Sequence, residues 1–277
     1  MKISKTFLIT IAILEFLIIV FGFFYMSSKT QTFQAELPTV MVINIDNEIV
    51  STFYSSILEK RGQHKNKDSS TSSLNVIRML EFFSQDPNIK AFILEINSNG
   101  SQTAAQEEIV RYIKRMNKPV IAVIKGSALS SGYYVAAGTN KIYADESAKI
   151  GNIGQTFVYV NRKRNGQEQI CNITSENYEN IILDSCKGFE QEVFNFLRHY
   201  VELTHNTLIG KIVEMREINV NDIIPLSNKI VNSKEALELG LIDEVGDTND
   251  AVKYLENQLD IKLYIINLKD LTYKNET

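Results

Sequence analysis

Histidine and cysteine are scarce in this sequence of 277 residues, and tryptophan is absent. The three histidines, His64, His199 and His205, and the two cysteines, Cys171 and Cys186, offer few ligands to a metal ion. The cysteines lie fifteen positions apart with no histidine beside them, which is not the spacing of a zinc site. We therefore expect no metal and no cofactor. Whether the two cysteines pair stays open, because spacing does not fix their distance in the fold.

An excess of positive charge is also missing. The net charge is −4 and the isoelectric point is near 5.6, whereas nucleic-acid-binding domains usually carry a basic patch. We therefore expect no nucleic-acid partner. Hydrophobic residues make up 44% of the chain, which is enough for a sizeable core in one large domain.

The longest apolar run is FLITIAILEFLIIVFGFFYM, at residues 7–26. It has about the 20 residues that span a bilayer, and no small-residue cleavage motif follows it, so an uncleaved transmembrane anchor is favoured over a signal peptide. Lys2 and Lys5 precede the run, so we expect residues 1–6 in the cytoplasm and the main domain outside it. Residues 7–26 would then contact membrane lipid, and residues 27–38 would form a stalk.

Two kinds of apolar segment alternate after the stalk. Runs rich in β-branched residues predict strands at 39–50, 90–98, 118–126, 141–144, 156–160 and 261–268. Apolar residues at helical spacing predict helices at 74–83, 104–116, 132–138, 190–205, 233–240 and 248–260. Because strands and helices alternate, we predict one α/β domain over residues 39–277, with parallel strands.

Two strand ends carry the candidate chemistry. In an open α/β sheet, sites form at the carboxyl ends of strands, and here these ends are EINSNGSQ (95–102) and KGSALSSGYY (125–134). In the second stretch, Ser130 and Ser131 precede a predicted helix, whose first N–H groups favour developing negative charge. A serine there is either a nucleophile beside an oxyanion hole or a helix N-cap. The stretch alone favours the cap.

A longer region around these motifs resembles a known family. Residues 92–155, which run from FILEINSNGSQ to KIGNIGQ, and residues 230–252, IVNSKEALELGLIDEVGDTNDAV, are similar to the signal peptide peptidase A (protease IV) family of serine proteases. The resemblance implies a Clp/crotonase-like fold of repeated ββα units on a single N-terminal transmembrane helix. It also implies a homo-oligomeric ring and hydrophobic peptides, such as remnant signal peptides, as substrates.

The resemblance assigns roles to individual residues. The family's S-G-G-Y-Y motif falls on residues 130–134, so Ser130 matches the nucleophile. Its N-S-P-G-G loop falls on residues 97–101, and its G-S-I-G turn falls on residues 151–154, where Asn152 replaces the serine. The residues expected to form the oxyanion hole and bind substrate are Gly100, Ser101, Ser131 and Gly132.

The general base departs from the family pattern. The family's lysine lies in a segment that aligns with residues 173–185, and this alignment places Glu179 at the lysine position. A carboxylate with a pKa of about 4 is a much weaker base for a serine hydroxyl than an unprotonated lysine. Lys187 is a speculative substitute. His199 and His205 are expected to be structural or exposed, since His205 is placed at the end of the predicted 190–205 helix.

Three functions stay open at this stage. The first is an active membrane-bound serine peptidase that works through an acyl-enzyme. The second is a catalytically inactive relative that binds peptides or regulates a partner, as the replacement of the lysine by Glu179 suggests. The third is an acyl-CoA enzyme of the crotonase superfamily, against which the predicted extracytoplasmic domain argues because CoA thioesters are cytoplasmic.

Overall fold

The predicted alternation of strands and helices is present along the described part of the chain. A computed structural model describes residues 35–51, 70–100, 103–162, 168–175 and 190–273. The elements in these ranges belong to one unit, Glu36–Thr277. The predicted anchor at residues 7–26 lies outside the described residues. Among the residues that are described, no helix combines the length and hydrophobicity needed to cross a membrane.

The strands and helices have the following bounds. The strands are β1 (Thr39–Asp46), β2 (Glu48–Val50), β3 (Ser70–Ser72), β4 (Ile89–Ser98), β5 (Val120–Leu129), β6 (Lys141–Ala144), β7 (Lys149–Gly151), β8 (Thr156–Arg162), β9 (Glu168–Thr174), β10 (Ile230–Asn232), β11 (Glu244–Val245) and β12 (Tyr264–Asn267). The helices are α1 (Ser73–Ser84), α2 (Thr103–Ile113), α3 (Ser131–Ala137), α4 (Gln191–Arg216), α5 (Val220–Ile223), α6 (Ser233–Glu238), α7 (Thr248–Leu259) and α8 (Leu268–Tyr273). A 3₁₀ turn covers Ile224–Ser227.

The main sheet has the strand order β10-β7-β5-β4-β1-β12, and β6 pairs with both β5 and β11. The central pairs, β12–β1, β1–β4 and β4–β5, are parallel, as predicted. Strand β5 changes partner along its length: Ile121–Ile124 pair with β6, and Ser127–Leu129 pair with β7. This change carries the end of β5 away from β6 directly before Ser130.

Both faces of the sheet are covered, as is usual for parallel sheets. On one face, strand residues pack against α7; the buried members of this cluster include Val40, Val42, Ala91, Ile93, Ala251 and Leu255. Successive strand side chains point to opposite faces. Met41 and Phe92, the intervening residues, are also fully buried. Burial on both sides explains why these strands read as nearly continuous apolar runs.

Several predicted boundaries differ from the observed ones, and three of these differences have a clear physical reason. The strand predicted at 39–50 is split at Asn47, whose φ is 60°, a left-handed conformation that asparagine tolerates. The strand predicted at 118–126 continues to Leu129, because its last residues pair with β7. The helix predicted at 190–205 continues to Arg216, because Leu208 and Ile212 extend its buried stripe.

Strands β8 and β9 form a separate antiparallel hairpin that packs on α4. The buried core between them is formed by Cys171, Ile173, Leu197 and Val201. Cys171 is disulfide-bonded. The sequence has one other cysteine, Cys186, which lies outside the described residues.

Candidate active site

Ser130 lies on the sharp turn between β5 and α3. Its φ of 51° and ψ of −119° fall outside the regions that non-glycine residues usually adopt. Its N–H donates to Gly151 O (3.0 Å), and its carbonyl accepts from Tyr134 N–H (3.0 Å). A strained residue costs on the order of 1–3 kcal/mol, and such residues cluster at functional sites. Nucleophilic serines of other hydrolases also lie on strained strand-to-helix turns.

The side chain of Ser130 does not cap α3. Ser130 occupies the N-cap position, but its side chain makes no capping hydrogen bond. Its backbone also lies outside the extended region that N-cap residues typically adopt. The simple cap that the sequence stretch alone favoured is therefore the wrong interpretation of Ser130. Its side chain lines a cleft instead.

The two predicted motifs meet through glycines. A Cβ atom on Gly100, whose φ is +86°, would lie 2.7 Å from Leu129 O and 2.8 Å from Ser130 Cβ. A Cβ atom on Gly132 would lie 2.8 Å from Ser98 O. The loop after β4 and the turn after β5 are thus in backbone contact, which requires glycine at both positions. The fold brings Gly100 and Gly132 to Ser130.

The N–H of Gly100 has a partner within its own loop. It donates to Ser98 Oγ (3.1 Å), and the Ser98 hydroxyl donates to Asn47 O. These bonds tie the loop after β4 to the end of β1. The other predicted residues divide between two places: Ser131 and Gly132 are buried in the first turn of α3, whereas Ser101 lies outside the described residues.

The turn at residues 151–154 forms the next wall of the cleft. Asn152, with a φ of 47°, adopts a backbone conformation that asparagine tolerates, and its N–H donates to Lys229 O (2.7 Å). A Cβ atom on Gly154 would lie 2.5 Å from Ser227 O. The turn therefore packs closely against the 3₁₀ turn, and the asparagine that replaces the family's serine suits its backbone.

A cleft of about 670 Å³ lies beside Ser130. Apart from Gly100 and Gly154, its described lining residues carry amide or hydroxyl side chains: Asn99, Thr103, Gln106, Ser130, Asn152, Gln155, Thr156, Thr174, Ser175 and Ser227. None of these groups titrates near neutral pH, so the described walls hold no general base. The two candidates for that role, Glu179 and Lys187, lie outside the described residues.

His205 lies behind this wall and not at a helix end. Helix α4 continues well beyond it, and its side chain is 4% exposed. Its Nε2 atom is 3.2 Å from Ile153 O and 2.9 Å from Ser227 Oγ. The Ser227 hydroxyl donates to Ile224 O (2.7 Å), so it accepts a hydrogen bond from His205. His205 thus supports the cleft wall, whereas His199 is exposed.

Tyr133 and Tyr134 fasten α3 behind Ser130. The Tyr133 hydroxyl donates to Leu241 O (2.9 Å), and the Tyr134 hydroxyl donates to Glu107 Oε1 (2.8 Å). Lys211 pairs with the same carboxylate at 2.5 Å, so Glu107 links α2, α3 and α4. Burial raises the pKa of both tyrosines well above the usual value. Both hydroxyls therefore stay protonated and can donate.

Several lining residues were not predicted from the sequence, among them Gln106 and Thr174. Gln106 is 2% exposed and lies on the buried face of α2 with Val110 and Ile113. Its helical spacing from those residues was a usable signal, because a polar side chain in an apolar stripe needs a reason. For Thr174 there was no such signal, because its place in the cleft depends on how the hairpin packs.

Comparisons with known families agree with this fold. The model of Peptidase family S49 matches residues 113–262, which is more than half of the 277 residues. The model described as Clp protease matches residues 46–151. Both matches include the end of β5, and the second also includes the loop after β4.

Individual relatives point the same way. The chain is 26% identical over 214 residues to the Enterococcus faecium protein named "Putative signal peptide peptidase SppA", covering 73% of this chain and 60% of that protein. It is 28% identical over 174 residues to Protease 4 of Salmonella typhi, covering 60% of this chain and 28% of that protein. The chain thus spans 60% or less of the length of these relatives.

The solved structures of the 1510-N membrane-bound stomatin-specific protease share the fold. One mutant of that protein, in complex with a substrate peptide, aligns with a TM-score of 0.53 at 18% identity, covering 88% of this chain and all of that one. A second mutant aligns with a TM-score of 0.52, covering 84% and 99%. The fold is therefore a mixed α/β fold like that of Clp proteases. Together with the family match over residues 113–262, these findings place the chain in peptidase family S49, the signal peptide peptidase A or protease 4 family of serine proteases.

Proposed function

We propose that this chain is a membrane-bound serine peptidase that cleaves hydrophobic peptides, such as remnant signal peptides, with Ser130 as the nucleophile. The observation that carries the proposal is the placement of Ser130, which is on a strained turn, does not cap α3 and lines the cleft. Membership of a peptidase family supports the reaction class. The name of the Enterococcus faecium relative supports the substrate class.

In the proposed reaction, Ser130 Oγ attacks the carbonyl carbon of the scissile peptide bond. Its proton passes to a base, which then delivers it to the leaving amine, and water hydrolyses the resulting acyl-enzyme. The N–H groups of Ser131 and Gly132, which open α3 directly after the nucleophile, hold the oxyanion. Gly100 shapes the facing loop, where its N–H already donates to Ser98 Oγ, and Ser101 is proposed to bind substrate.

Lys187 is the proposed base. The described lining of the cleft contains no titratable group, and Glu179 stands at the family's lysine position. A lysine acts as a base when burial or a nearby cation lowers its pKa. Lys187 is the lysine nearest to position 179 in the sequence. A short insertion relative to the family would therefore bring its side chain to the position of the general base.

The membrane and assembly parts of the proposal rest on other features. Residues 1–6 are placed in the cytoplasm, residues 7–26 span the bilayer, residues 27–38 form a stalk, and the domain at 39–277 lies outside. The apolar run and its flanking lysines support this topology. We also propose a homo-oligomeric ring, which the exposed apolar face of the β8–β9 hairpin supports.

Peptide binding without cleavage is the second candidate function. The described walls of the cleft hold no base, and Glu179 stands at the position of the family's lysine. A chain with these features would keep a cleft that binds peptides but would not hydrolyse them. The acyl-CoA alternative loses support, because the chain matches a peptidase family.

A serine-directed fluorophosphonate probe, applied to the full-length chain in detergent, separates these functions. We expect covalent labelling that is lost in Ser130→Ala, because the probe reacts only with an activated serine. Ser131→Ala keeps its main-chain N–H and should still be labelled. We expect Lys187→Ala to lower the labelling rate by about 100-fold or more, the usual effect of losing a general base. A folded wild-type chain that takes up no probe would favour the binding function.

A further inference from the structure

We propose that Asn99, held in place by Ser127, is a substrate-binding residue whose side-chain NH₂ group donates a hydrogen bond to a main-chain carbonyl of the peptide beside Ser130. The inference rests on the proposed peptidase function and deepens it, because it adds a specific contact with the substrate. Asn99 stands where the family's N-S-P-G-G loop has proline, which has no side-chain donor.

Asn99 is accessible to a ligand in the cleft. It is exposed, and it lines the cleft together with Gly100 and Ser130. A Cβ atom on Gly100 would lie 2.8 Å from Ser130 Cβ, so the Cα atom of Asn99 lies within about 8 Å of Ser130 Cβ. An extended peptide rises about 3.3 Å for each residue. Asn99 therefore lies beside substrate residues that are about two positions or fewer from the scissile bond.

Ser127 holds one end of the Asn99 carboxamide. The Ser127 hydroxyl donates to Asn99 Oδ1 (2.9 Å). The other acceptor near this hydroxyl, Asn97 Oδ1, is farther away at 3.3 Å and already accepts from the Ser127 N–H (3.1 Å). Asn97 itself packs on Gly126, where a Cβ atom would lie 2.5 Å from Asn97 Oδ1. The carbonyl end of the Asn99 side chain is thus occupied, and its NH₂ group is the end that can bind a ligand.

The NH₂ group of Asn99 donates to no acceptor among the described residues, where the side chain makes its one hydrogen bond with Ser127. The main-chain donor of the next residue is engaged, because the N–H of Gly100 donates to Ser98 Oγ (3.1 Å). At this point of the loop after β4, the donor that is left for a substrate therefore belongs to a side chain and not to the N–H of Gly100.

A main-chain carbonyl is the matching acceptor. The side chains of a hydrophobic peptide offer no acceptor, whereas each of its residues carries a carbonyl group. Extended peptides usually bind through main-chain groups and take their specificity from side-chain pockets. A substrate carboxylate would also accept, but the described lining has no positive charge to stabilise it. The contact with Asn99 would therefore be independent of the substrate side chain at that position.

The test is the binding of a fluorescein-labelled peptide of leucine and alanine, measured by fluorescence anisotropy. The parent protein is the full-length Ser130→Ala chain in detergent, so that hydrolysis does not interfere. Added to the parent, Asn99→Ala should raise Kd about three- to tenfold, the effect of losing one hydrogen bond. Asn99→Asp should raise Kd at least as much, because it keeps an acceptor for Ser127 but replaces the donor by a charged acceptor.

Asn117→Asp is the matched control for the change of charge. Asn117 is an exposed asparagine between α2 and β5 and is not part of the cleft lining. This variant should bind the peptide with the Kd of the parent. The melting temperature of each variant should stay near that of the parent, because both asparagines are exposed. If one of the two Asn99 variants does not fold, the other decides.

Ser127 is a positioning residue, so its effect must depend on Asn99. Ser127→Ala should raise Kd about twofold in the parent and should raise it no further once Asn99→Ala is present. In the chain that retains Ser130, Asn99→Ala should raise KM by the same factor as Kd and change kcat by less than about twofold. The reason is that the hydrogen bond is made in the ground state and the transition state alike.

Peptides in which one peptide bond at a time is replaced by a trans-alkene identify the acceptor, because the alkene has no carbonyl oxygen. At one position this replacement should raise Kd by about as much as Asn99→Ala does. For that peptide, Asn99→Ala should raise Kd no further, since both changes remove the same hydrogen bond. For the other alkene peptides, the effect of Asn99→Ala should remain.

Binding by Asn99→Ala or by Asn99→Asp that is as tight as binding by the parent would overturn the inference. So would an effect of Asn99→Ala that persists in every alkene peptide, or a fall in kcat without a rise in Kd. Binding that depends on Asn99 without cleavage by the unmutated chain would sustain the contact and contradict the proposed peptidase activity. Cleavage that does not depend on Asn99 would do the reverse. A folded parent chain that binds none of the peptides would contradict both.

Discussion

Positive φ angles recur around the cleft. Gly100 has a φ of 86°, Ser130 of 51° and Asn152 of 47°. Glycine is required at the first position because a Cβ atom would collide, and asparagine tolerates the conformation at the third. At Ser130 the strain is not relieved by residue type, so surrounding hydrogen bonds must hold it. The stability lost at this one residue is consistent with a side chain that is positioned for function.

The Gly100→Ala substitution tests how strongly this backbone contact positions Ser130. The added Cβ would lie 2.7 Å from Leu129 O and 2.8 Å from Ser130 Cβ, so the loop or the nucleophile must move. We expect a loss of stability of more than about 1 kcal/mol and a fall in fluorophosphonate labelling of about tenfold or more. Unfolding in urea and labelling rate measure the two effects.

Gly210→Ala is the matched control for this substitution. Gly210 lies inside α4, and a Cβ atom there would meet nothing within 4 Å. Because alanine favours a helix interior by about 0.5–1 kcal/mol over glycine, this variant should be at least as stable as the wild type and should be labelled normally. A Gly100→Ala chain that behaves like the control would show that the contact does not position Ser130.

Two tyrosines anchor helix α3, which directly follows Ser130, to other parts of the domain. Tyr133 reaches Leu241 O on the chain segment between α6 and β11, and Tyr134 reaches Glu107 on α2. Lys211 extends the second contact to α4. Helix α3, which follows the nucleophile, is therefore held by contacts with residues that precede it and residues that follow it in the sequence.

Tyr133→Phe probes this attachment and predicts a dependence on pH. At neutral pH the variant should be less stable by about 1 kcal/mol, because Leu241 O loses a buried hydrogen-bond donor. Burial raises the pKa of Tyr133 above its unfolded value of about 10. Below about pH 10 the hydroxyl is protonated in both states, and its contribution is complete. At higher pH the unfolded chain loses the proton more readily, so the free energy of unfolding falls as pH rises.

The difference in stability between wild type and Tyr133→Phe should therefore narrow as the pH is raised from about 8 to about 11. Urea unfolding at a series of pH values measures it. A difference that stays constant over this range would mean that the Tyr133 hydroxyl ionises equally easily in the folded and unfolded chains.

Local patterns predicted the elements better than the site. Strands β4 and β5 could be predicted because burial on both faces makes their sequences, IKAFILEINS and VIAVIKGSAL, largely apolar. The site residues Ser130, Gly100 and Gly132 could be predicted because each belongs to a motif that is contiguous in the sequence. The bond from Lys211 to Glu107 joins residues 104 positions apart, and no local pattern specifies which helices pack together. Gln106 lies between these cases, since its position in an apolar stripe was visible in the sequence but its place in the wall of a cleft was not.

At the scale of the whole molecule, the β8–β9 hairpin presents an apolar face to solvent. Val158 is 55% exposed, Val160 is 44% exposed and Ile170 is 50% exposed. Val160 and Ile170 are paired across the hairpin, and Val158 lies two residues from Val160, so all three share one face. The opposite face packs on α4. Contiguous exposed apolar surface of this kind marks an interaction site.

We expect this face to form the contact between copies in the proposed ring. The double variant Val158→Asp with Ile170→Asp places two charges on the face, which would be costly to bury against a neighbour. The mass of the full-length chain in detergent, measured by light scattering, should fall from that of an oligomer to that of a monomer. Val245→Asp, at an exposed valine of β11, is the control and should leave the mass unchanged. An oligomer of unaltered mass in the double variant would move the contact elsewhere, and a monomeric wild type would contradict the ring itself. Because Ser130 follows β5 of the main sheet and is not part of the hairpin, labelling of the dissociated variant would further show whether one copy holds a complete site.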